Sequence, residues 1–238
     1  MAGHSHAKNV MHTKNAADAK KGKIFNKLAR EITVAVKTGS PDPASNPRLR
    51  AAIAEARAKN MTKDRIERAI KQGQPGSGDA ANYEEVRYEA YGPGGSALII
   101  EALTDNRNRT AAEVRTALSK NGGNMAESGS VSFMFDRVGE IVYPVDKCSN
   151  EEMFEHVIEA GGEDVHSDEE DHHVYTSVDA FGVVRDALET QLGEPSSARL
   201  IWKAQTPIEI AEDQLGTLTK LFDVLEDNDD VQHVFSNQ

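Results

Sequence analysis

Apolar residues recur at three- and four-residue steps in three short stretches near the N-terminal end of the chain. In the first stretch, 15–38, they are Ile24, Phe25, Leu28, Ile32 and Val36. This spacing predicts an amphipathic helix, and two more helices are predicted over 47–60 and 62–73, the first of them capped by Asn46. Each helix has a single apolar stripe that it can bury only against the other two. Residues 1–78 are therefore predicted to form a small three-helix domain.

Beyond a linker rich in Gly, Pro and Ser at 74–82, the pattern alternates between strand and helix periods. Residues 138–204 follow the order β-α-β-β-α-β, which is the ferredoxin-like plan. The flanking segments hold the remaining elements: strands at 83–91, 97–103 and 131–135 with a helix at 109–120, then a strand at 208–210, a helix at 213–226 and a strand at 231–235.

The two flanking segments each form only part of a module. Residues 83–135 lack closing elements, residues 206–238 lack opening ones, and either segment alone exposes a sheet edge and an apolar helix face. We therefore expect 83–135 and 206–238 to form one discontinuous α/β domain, with the acidic domain 138–204 inserted between them. The predicted fold class is α+β: a three-helix domain followed by two ferredoxin-like modules, the second inserted into the first.

Charge is divided unevenly along the chain, whose net charge is −12. Residues 1–78 carry ten Lys and six Arg against six acidic residues, a net charge of +10, so the other 160 residues carry −22. Such opposition is typical of a polyanion-binding arm on an acidic body. The alternative is a solvated basic tail without a partner, since residues 1–14 have no apolar period and are expected to be disordered on their own.

The basic arm is the strongest functional signal. Its candidate nucleic-acid-binding residues are Lys8, Lys14, Lys20, Lys21, Lys23, Lys27 and Arg30. Lysines contact phosphates, which provides affinity and salt dependence but little sequence information. The arm has no aromatic residue suited to base stacking, and it has no recognisable set of base-contacting residues of the helix-turn-helix type.

A second anion contact is suggested by the loop 105–110, which joins a buried strand to a helix start. Asn108 could cap this helix, and Arg107 and Arg109 would add positive charge beside its free N–H groups. The alternative is a capping loop whose arginines pair with Asp105 and Glu113.

No catalytic set assembles from the remaining chemistry. Cys148 precedes a predicted helix that could lower its pKa, but it has no partner in the sequence. The cluster 168–173 (DEEDHH) is most simply an acidic, solvated turn, and His4, His6 and His12 lack accompanying carboxylates. We therefore expect no enzymatic activity, no cofactor and no metal. An enzyme using Cys148 or the 168–173 cluster, and a ligand-responsive module, are minor alternatives.

Location and partners follow from composition. The single cysteine excludes an internal disulfide, and neither a secretory signal nor an apolar run of membrane-spanning length is present. We expect a cytoplasmic protein that binds nucleic acid and not a membrane. The oligomeric state is left open.

Four segments carry a family resemblance. They are MAGHSHAKNVMHTKNAADAKKGKIFNKLAREITVA, NPRLRAAIAEARAKNMTKDRIERAIK, YEAYGPGGSALIIEALTDNRNRTAAEVR and GSVSFMF. Together they closely resemble the YebC/PmpR family, which includes the mitochondrial translational activator of cytochrome oxidase. Many members read GHSKWANIKHRK where residues 3–14 here read GHSHAKNVMHTK, so the tryptophan and several basic positions are absent.

The resemblance implies a helical N-terminal domain, two α/β domains of which the middle one is discontinuous, and no enzymatic activity. Members are described as cytoplasmic DNA-binding transcriptional regulators, and others as ribosome-associated translation factors that relieve proline-rich stalls. Charge does not separate these roles, because DNA and ribosomal RNA both present phosphate. The expectation is a transcriptional regulator, with ribosome binding as the alternative.

Overall fold

The computed structural model describes the backbone of residues 4–77 and 82–238, with side chains from residue 20 onwards within those ranges. In this part of the chain there are seven α-helices and two four-stranded antiparallel sheets, so the fold is α+β, as predicted. The helices are α1 (His4–Thr38), α2 (Pro47–Ala58), α3 (Lys63–Gly73), α4 (Arg107–Lys120), α5 (Asn150–Ala160), α6 (Phe181–Leu192) and α7 (Glu212–Glu226). The strands are β1 (Glu84–Tyr91), β2 (Ala97–Thr104), β3 (Asn124–Met125), β4 (Phe135–Pro144), β5 (Asp164–Ser167), β6 (Asp171–Thr176), β7 (Ser197–Ala204) and β8 (Val231–Ser236).

The first three helices share one core, as their apolar stripes predict. Ile32 and Leu49 are completely buried in it, and Ile66 of α3 is nearly so. Buried Asn46 joins the end of α1 to the start of α2: its side-chain amide donates to the carbonyl of Ala35 (2.8 Å), and its side-chain oxygen accepts from the N–H of Leu49 (3.1 Å). Asn46 is therefore both the predicted N-cap and a tie between two helices.

The first helix begins earlier than expected. The sequence predicts helix from Asn15, whereas α1 starts at His4. Neither Gly nor Pro interrupts residues 4–14, and extending a helix that tertiary packing has already nucleated costs much less than starting a new one.

The second sheet has the strand order β5-β6-β4-β7. Its elements follow one another as β4-α5-β5-β6-α6-β7, which confirms the ferredoxin-like plan. Helices α5 and α6 cover one face, burying Met153, Val157, Val184 and Leu188 against it. The predicted stop after α5 is Gly161, whose φ of 84° is a left-handed conformation that glycine adopts without strain.

The first sheet has the order β3-β1-β2-β8, so the C-terminal segment closes it. Helices α4 and α7 cover one face and bury Leu118, Leu218 and Leu221. The other face packs against the second module through Ile99, Phe135 and their neighbours. Strand β2 is therefore buried on both faces, which explains why residues 97–103 are apolar at every position except Glu101.

Two predicted strands are absent. Residues 132–134 form a short 3-10 turn, because the loop before it is bound to the carboxylate of Glu89, and strand β4 begins only at Phe135. Residues 208–210 run alongside the sheet but form no strand. Pro207 has no N–H to donate, and Ile208 makes a single backbone hydrogen bond to Asn237 (2.7 Å).

Removing the C-terminal segment is expected to unfold the first sheet. A chain of residues 83–205 lacks α7 and β8, so it exposes the edge of β2 and the apolar partners of Leu218, Leu221 and Leu225. Amide exchange of Ile99 and Ile100 reports the stability of this sheet separately from that of the inserted module. We expect fast exchange in 83–205 and strong protection in a matched chain of residues 83–238. Equal protection in both would show that the segment is dispensable.

Candidate nucleic-acid interface

Helix α1 presents a basic face. Lys20, Lys23, Lys27 and Arg30 are spaced by three or four residues, so they lie along one side of the helix. Leu28 and Ile32 lie on another side, where they are buried against α2 and α3. Packing of this apolar side in the helical domain turns the basic face towards the loop between α7 and β8.

That loop, Glu226–Asp230, is here called the acidic loop, because four of its five residues are acidic. The Nζ of Lys23 lies 2.7 Å from Oδ2 of Asp227 and 3.1 Å from its carbonyl oxygen. The Nζ of Lys27 donates to the carbonyl oxygen of Glu226. Burial lowers the pKa of Lys27, although Glu226, Asp229 and Asp227 oppose this effect. Two of the predicted phosphate ligands thus have acceptors within the protein.

Asp230 forms the buried base of the acidic loop and links three parts of the chain. Its Oδ1 accepts from Arg30 of α1 (2.8 Å). Its Oδ2 accepts from Arg109 (2.7 Å) and Thr110 (2.6 Å) of α4, and from Thr104 of β2 (3.2 Å). Burial alone raises the pKa of Asp230, but the hydrogen bonds from Arg109, Thr110 and Arg30 outweigh it, so its pKa lies below the usual value.

The remaining predicted cations of α1 differ in their surroundings. Lys20 and Lys21 are exposed to solvent, and the Nζ of Lys21 lies 5.5 Å from the centre of the Phe25 ring. The side chains of Lys8 and Lys14 lie outside the described residues. The structure therefore divides the predicted set into outward lysines at 20 and 21 and a group at 23, 27 and 30 that contacts the acidic loop.

The 105–110 loop is a capping loop with paired arginines. Asn106, not the expected Asn108, caps α4 by accepting from the N–H of Arg109 (3.0 Å). Arg109 pairs with Asp105 (2.8 Å), as the capping alternative predicts, and also with Asp230. Arg107 is exposed and lies 3.7 Å from Glu84. The other predicted partner, Glu113, instead accepts from Asn228 of the acidic loop (2.6 Å).

A cleft of about 1220 Å³ lies between α1, α4 and α7 and reaches the acidic loop. Positive side chains on its walls are Lys23, Arg30, Arg109, Lys120 and Lys220, and negative ones are Asp105, Glu113, Asp227, Asp229 and Asp230. The two signs are balanced, so the cleft as it stands does not favour an anion.

Sequence reasoning missed the acidic loop as a partner of the basic arm. The available signal was the run LEDNDD at 225–230, a concentration of acids opposite in sign to the arm. Only the folded arrangement shows that the two meet, because about 200 residues separate them in sequence.

The residues of the enzymatic alternative, Cys148 and the 168–173 cluster, make contacts that stabilise the fold. Burial raises the pKa of Cys148, and Glu152 adds to this, so the helix start does not activate the thiol. His172 is buried between Ser167 (2.7 Å) and the carbonyl of Cys148 (3.1 Å), and Asp168 accepts the N–H groups of residues 170 and 171. Within the described ranges, no group of His, Cys, Asp and Glu is arranged to hold a metal.

A second cleft, of about 600 Å³, lies where the helical domain meets both sheets. Its walls carry Glu31, Arg48, Glu101, Arg137, Arg199 and His233, among others. Burial lowers the pKa of His233 to about 4, with Arg199 and Arg137 adding to the effect, so its ring is neutral at pH 7. The cleft has cations and carboxylates in similar numbers and no clear preference for one ligand charge.

Two family models match the chain along nearly its whole length. The TACO1/YebC N-terminal domain matches residues 5–76, and the model Transcrip_reg, described as the TACO1/YebC second and third domain, matches residues 83–238. The chain belongs to the TACO1/YebC family. This confirms the resemblance seen in the sequence and identifies a regulator-type protein from a family that is not a known family of enzymes.

A solved TACO1/YebC-like structure has the same fold. The crystal structure of a conserved hypothetical protein, Aq1575 from Aquifex aeolicus, is 45% identical, with a TM-score of 0.85. The match covers 92% of this chain and 90% of that one. In the described part of this TACO1/YebC chain, no helix combines the length and apolarity needed to cross a membrane.

Proposed function

We propose that this protein is a non-enzymatic, cytoplasmic regulator of gene expression that binds DNA through the basic N-terminal arm and α1. The observation that carries the proposal is the pair of outward lysines, Lys20 and Lys21, on a helix of a domain with net charge +10. The name Transcrip_reg of the model for residues 83–238 favours transcription as the process. The acidic remainder of the chain directs nucleic acid towards this end of the molecule by repulsion elsewhere.

The alternative is a ribosome-associated translation factor that binds ribosomal or transfer RNA and relieves stalls at proline-rich sequences. Crosslinking of complexes purified from cells discriminates between the two. Enrichment of DNA supports the transcriptional role, and recovery of ribosomal RNA without DNA supports the alternative. Sedimentation with ribosomes, with and without residues 1–30, shows whether the basic arm mediates any ribosome binding.

Replacing Lys20, Lys21 and Lys23 together with glutamine is expected to weaken nucleic-acid binding regardless of sequence. Loss of three phosphate contacts should lower affinity at least about tenfold and reduce the slope of log K against log salt by about 2 to 3. Fluorescence anisotropy at several salt concentrations measures both. The matched control replaces Lys59, Lys71 and Lys147, which are also exposed. A slope that stays at the wild-type value would remove lysines 20, 21 and 23 from the interface.

A further inference from the structure

We propose that the acidic loop is an intramolecular competitor of nucleic acid, which occupies the cations of α1 until phosphates displace it. This inference rests on the proposed function for the identity of the ligand. Competition between the acidic loop and phosphates is expected for any polyphosphate. It can therefore be measured whether or not nucleic acid is the natural ligand.

The contacts of the loop resemble those of a phosphate backbone. Lys23 meets a carboxylate oxygen and a carbonyl oxygen of Asp227, and Lys27 meets the carbonyl oxygen of Glu226. These are charge-assisted hydrogen bonds from ammonium groups to oxygen, the same type that lysines make with phosphates. A phosphate can therefore bind Lys23 or Lys27 through those contacts only by replacing the loop.

Exposure separates the loop into a replaceable tip, residues 227–229, and a fixed base, Asp230. The side chains of Lys23 and Asp227 are 40% and 65% exposed, and exposed ion pairs contribute little and are screened by salt. The side chains of Arg30 and Asp230 are 14% and 4% exposed, so breaking their pair leaves a buried charge without a partner. The exposed pair of Lys23 and Asp227 can therefore break while Asp230 keeps α1 attached.

The charge around the tip also acts over a distance. Residues 223–230 hold five acids and no basic residue. A phosphate approaching the basic face from this side is repelled, and displacement of the tip removes part of that repulsion. The loop thus lowers affinity for single phosphates more than for long polyanions, which contact several cations at once.

The test neutralises the tip in the full chain. Asp227→Asn with Asp229→Asn removes two exposed charges and keeps the backbone carbonyls and Asp230. The control, Glu151→Gln with Glu155→Gln, removes two exposed charges from α5 in the other module. Binding of labelled duplex DNA, single-stranded RNA and inorganic polyphosphate is measured by anisotropy or competition at several salt concentrations. We expect the tip variant to bind at least about fivefold more tightly than the control, with a salt slope steeper by about 1.

The outcomes separate the inference from the proposed function. If the tip variant gains nothing over the control on any of the three polyanions, the competition is wrong, whether or not the wild-type chain binds nucleic acid. If the protein binds inorganic polyphosphate but neither DNA nor RNA, and the tip variant binds it more tightly than the control does, the proposed competition is supported and the proposed function fails. Amide exchange adds a direct readout: bound DNA or RNA should speed exchange at residues 227–229 of the wild-type chain. Slower exchange there would place the loop inside the interface and overturn the proposal.

Discussion

Asp230→Asn is expected to lower the free energy of unfolding by about 3 kcal/mol, because removal of one member of a buried ion pair leaves the other charge uncompensated. The carboxylate accepts from Arg30, Arg109, Thr104 and Thr110. An amide of the same shape carries no charge, and its NH₂ group faces donors. In thermal unfolding this corresponds to a fall in Tm of about 6 to 12 °C for a chain of this size.

The neighbouring residue provides the control for this variant. Asp229 is exposed, and only its carbonyl oxygen contacts Arg30, so Asp229→Asn should change stability by less than about 0.5 kcal/mol. Amide exchange in α1 shows whether the helix loosens when Asp230 is replaced. Unchanged Tm and unchanged exchange would mean that Arg30 and Arg109 find other partners at no cost.

Acid should remove the same stabilisation. The folded pKa of Asp230 lies below its unfolded value, so its contribution is fully present above about pH 4 and is lost as the pH falls through the folded pKa. The difference in Tm between wild type and Asp230→Asn should therefore narrow below about pH 4. A constant difference down to pH 2 would show that charge is not the cause.

Glu89→Gln is expected to destabilise the first sheet by roughly 2 to 4 kcal/mol, since buried donors would lose their acceptor. The carboxylate of Glu89, which is 3% exposed, accepts the N–H groups of Gly129 (2.9 Å), Val131 (2.8 Å) and Ser132 (2.9 Å). Glutamine offers one oxygen in place of two and turns an NH₂ group towards these donors. Urea unfolding measures the loss, and amide exchange at residues 129–132 locates it.

A residue of the same strand serves as the control for Glu89. Glu84 is exposed, and its carboxylate lies 3.7 Å from the guanidinium of Arg107, which is also exposed, so Glu84→Gln should leave stability almost unchanged. Burial raises the pKa of Glu89, but the three backbone hydrogen bonds lower it by more, so the pKa lies below its usual value. The destabilisation caused by Glu89→Gln should therefore also decrease as the pH falls through the folded pKa of Glu89. Equal stability of the two variants at pH 7 would show that the loop does not depend on this carboxylate.

Local sequence patterns predicted most of the secondary structure, because helix and strand formation depends largely on residues that are close in sequence. The three-helix domain and the ferredoxin-like order follow from apolar periods and from caps such as Asn46 and Gly161. The predicted strands at 131–135 and 208–210 are wrong for different reasons. Glu89, more than forty residues away in sequence, binds the backbone of the first. Beside the second, Pro207 has no N–H to donate, and Ile208 makes a backbone hydrogen bond to Asn237.

Apolar periodicity, caps and the split of charge along the chain were enough to predict most of the elements, the α+β fold class and the basic arm. These depend on neighbours within a few residues, or on sums over long segments. Only the tertiary structure decided which basic residues have acidic partners within the chain. Lys23, Lys27 and Arg30 look like any other cations in the sequence, but folding brings residues 226–230 against them. Pairing across some 200 residues depends on how whole domains pack, and no local pattern encodes it.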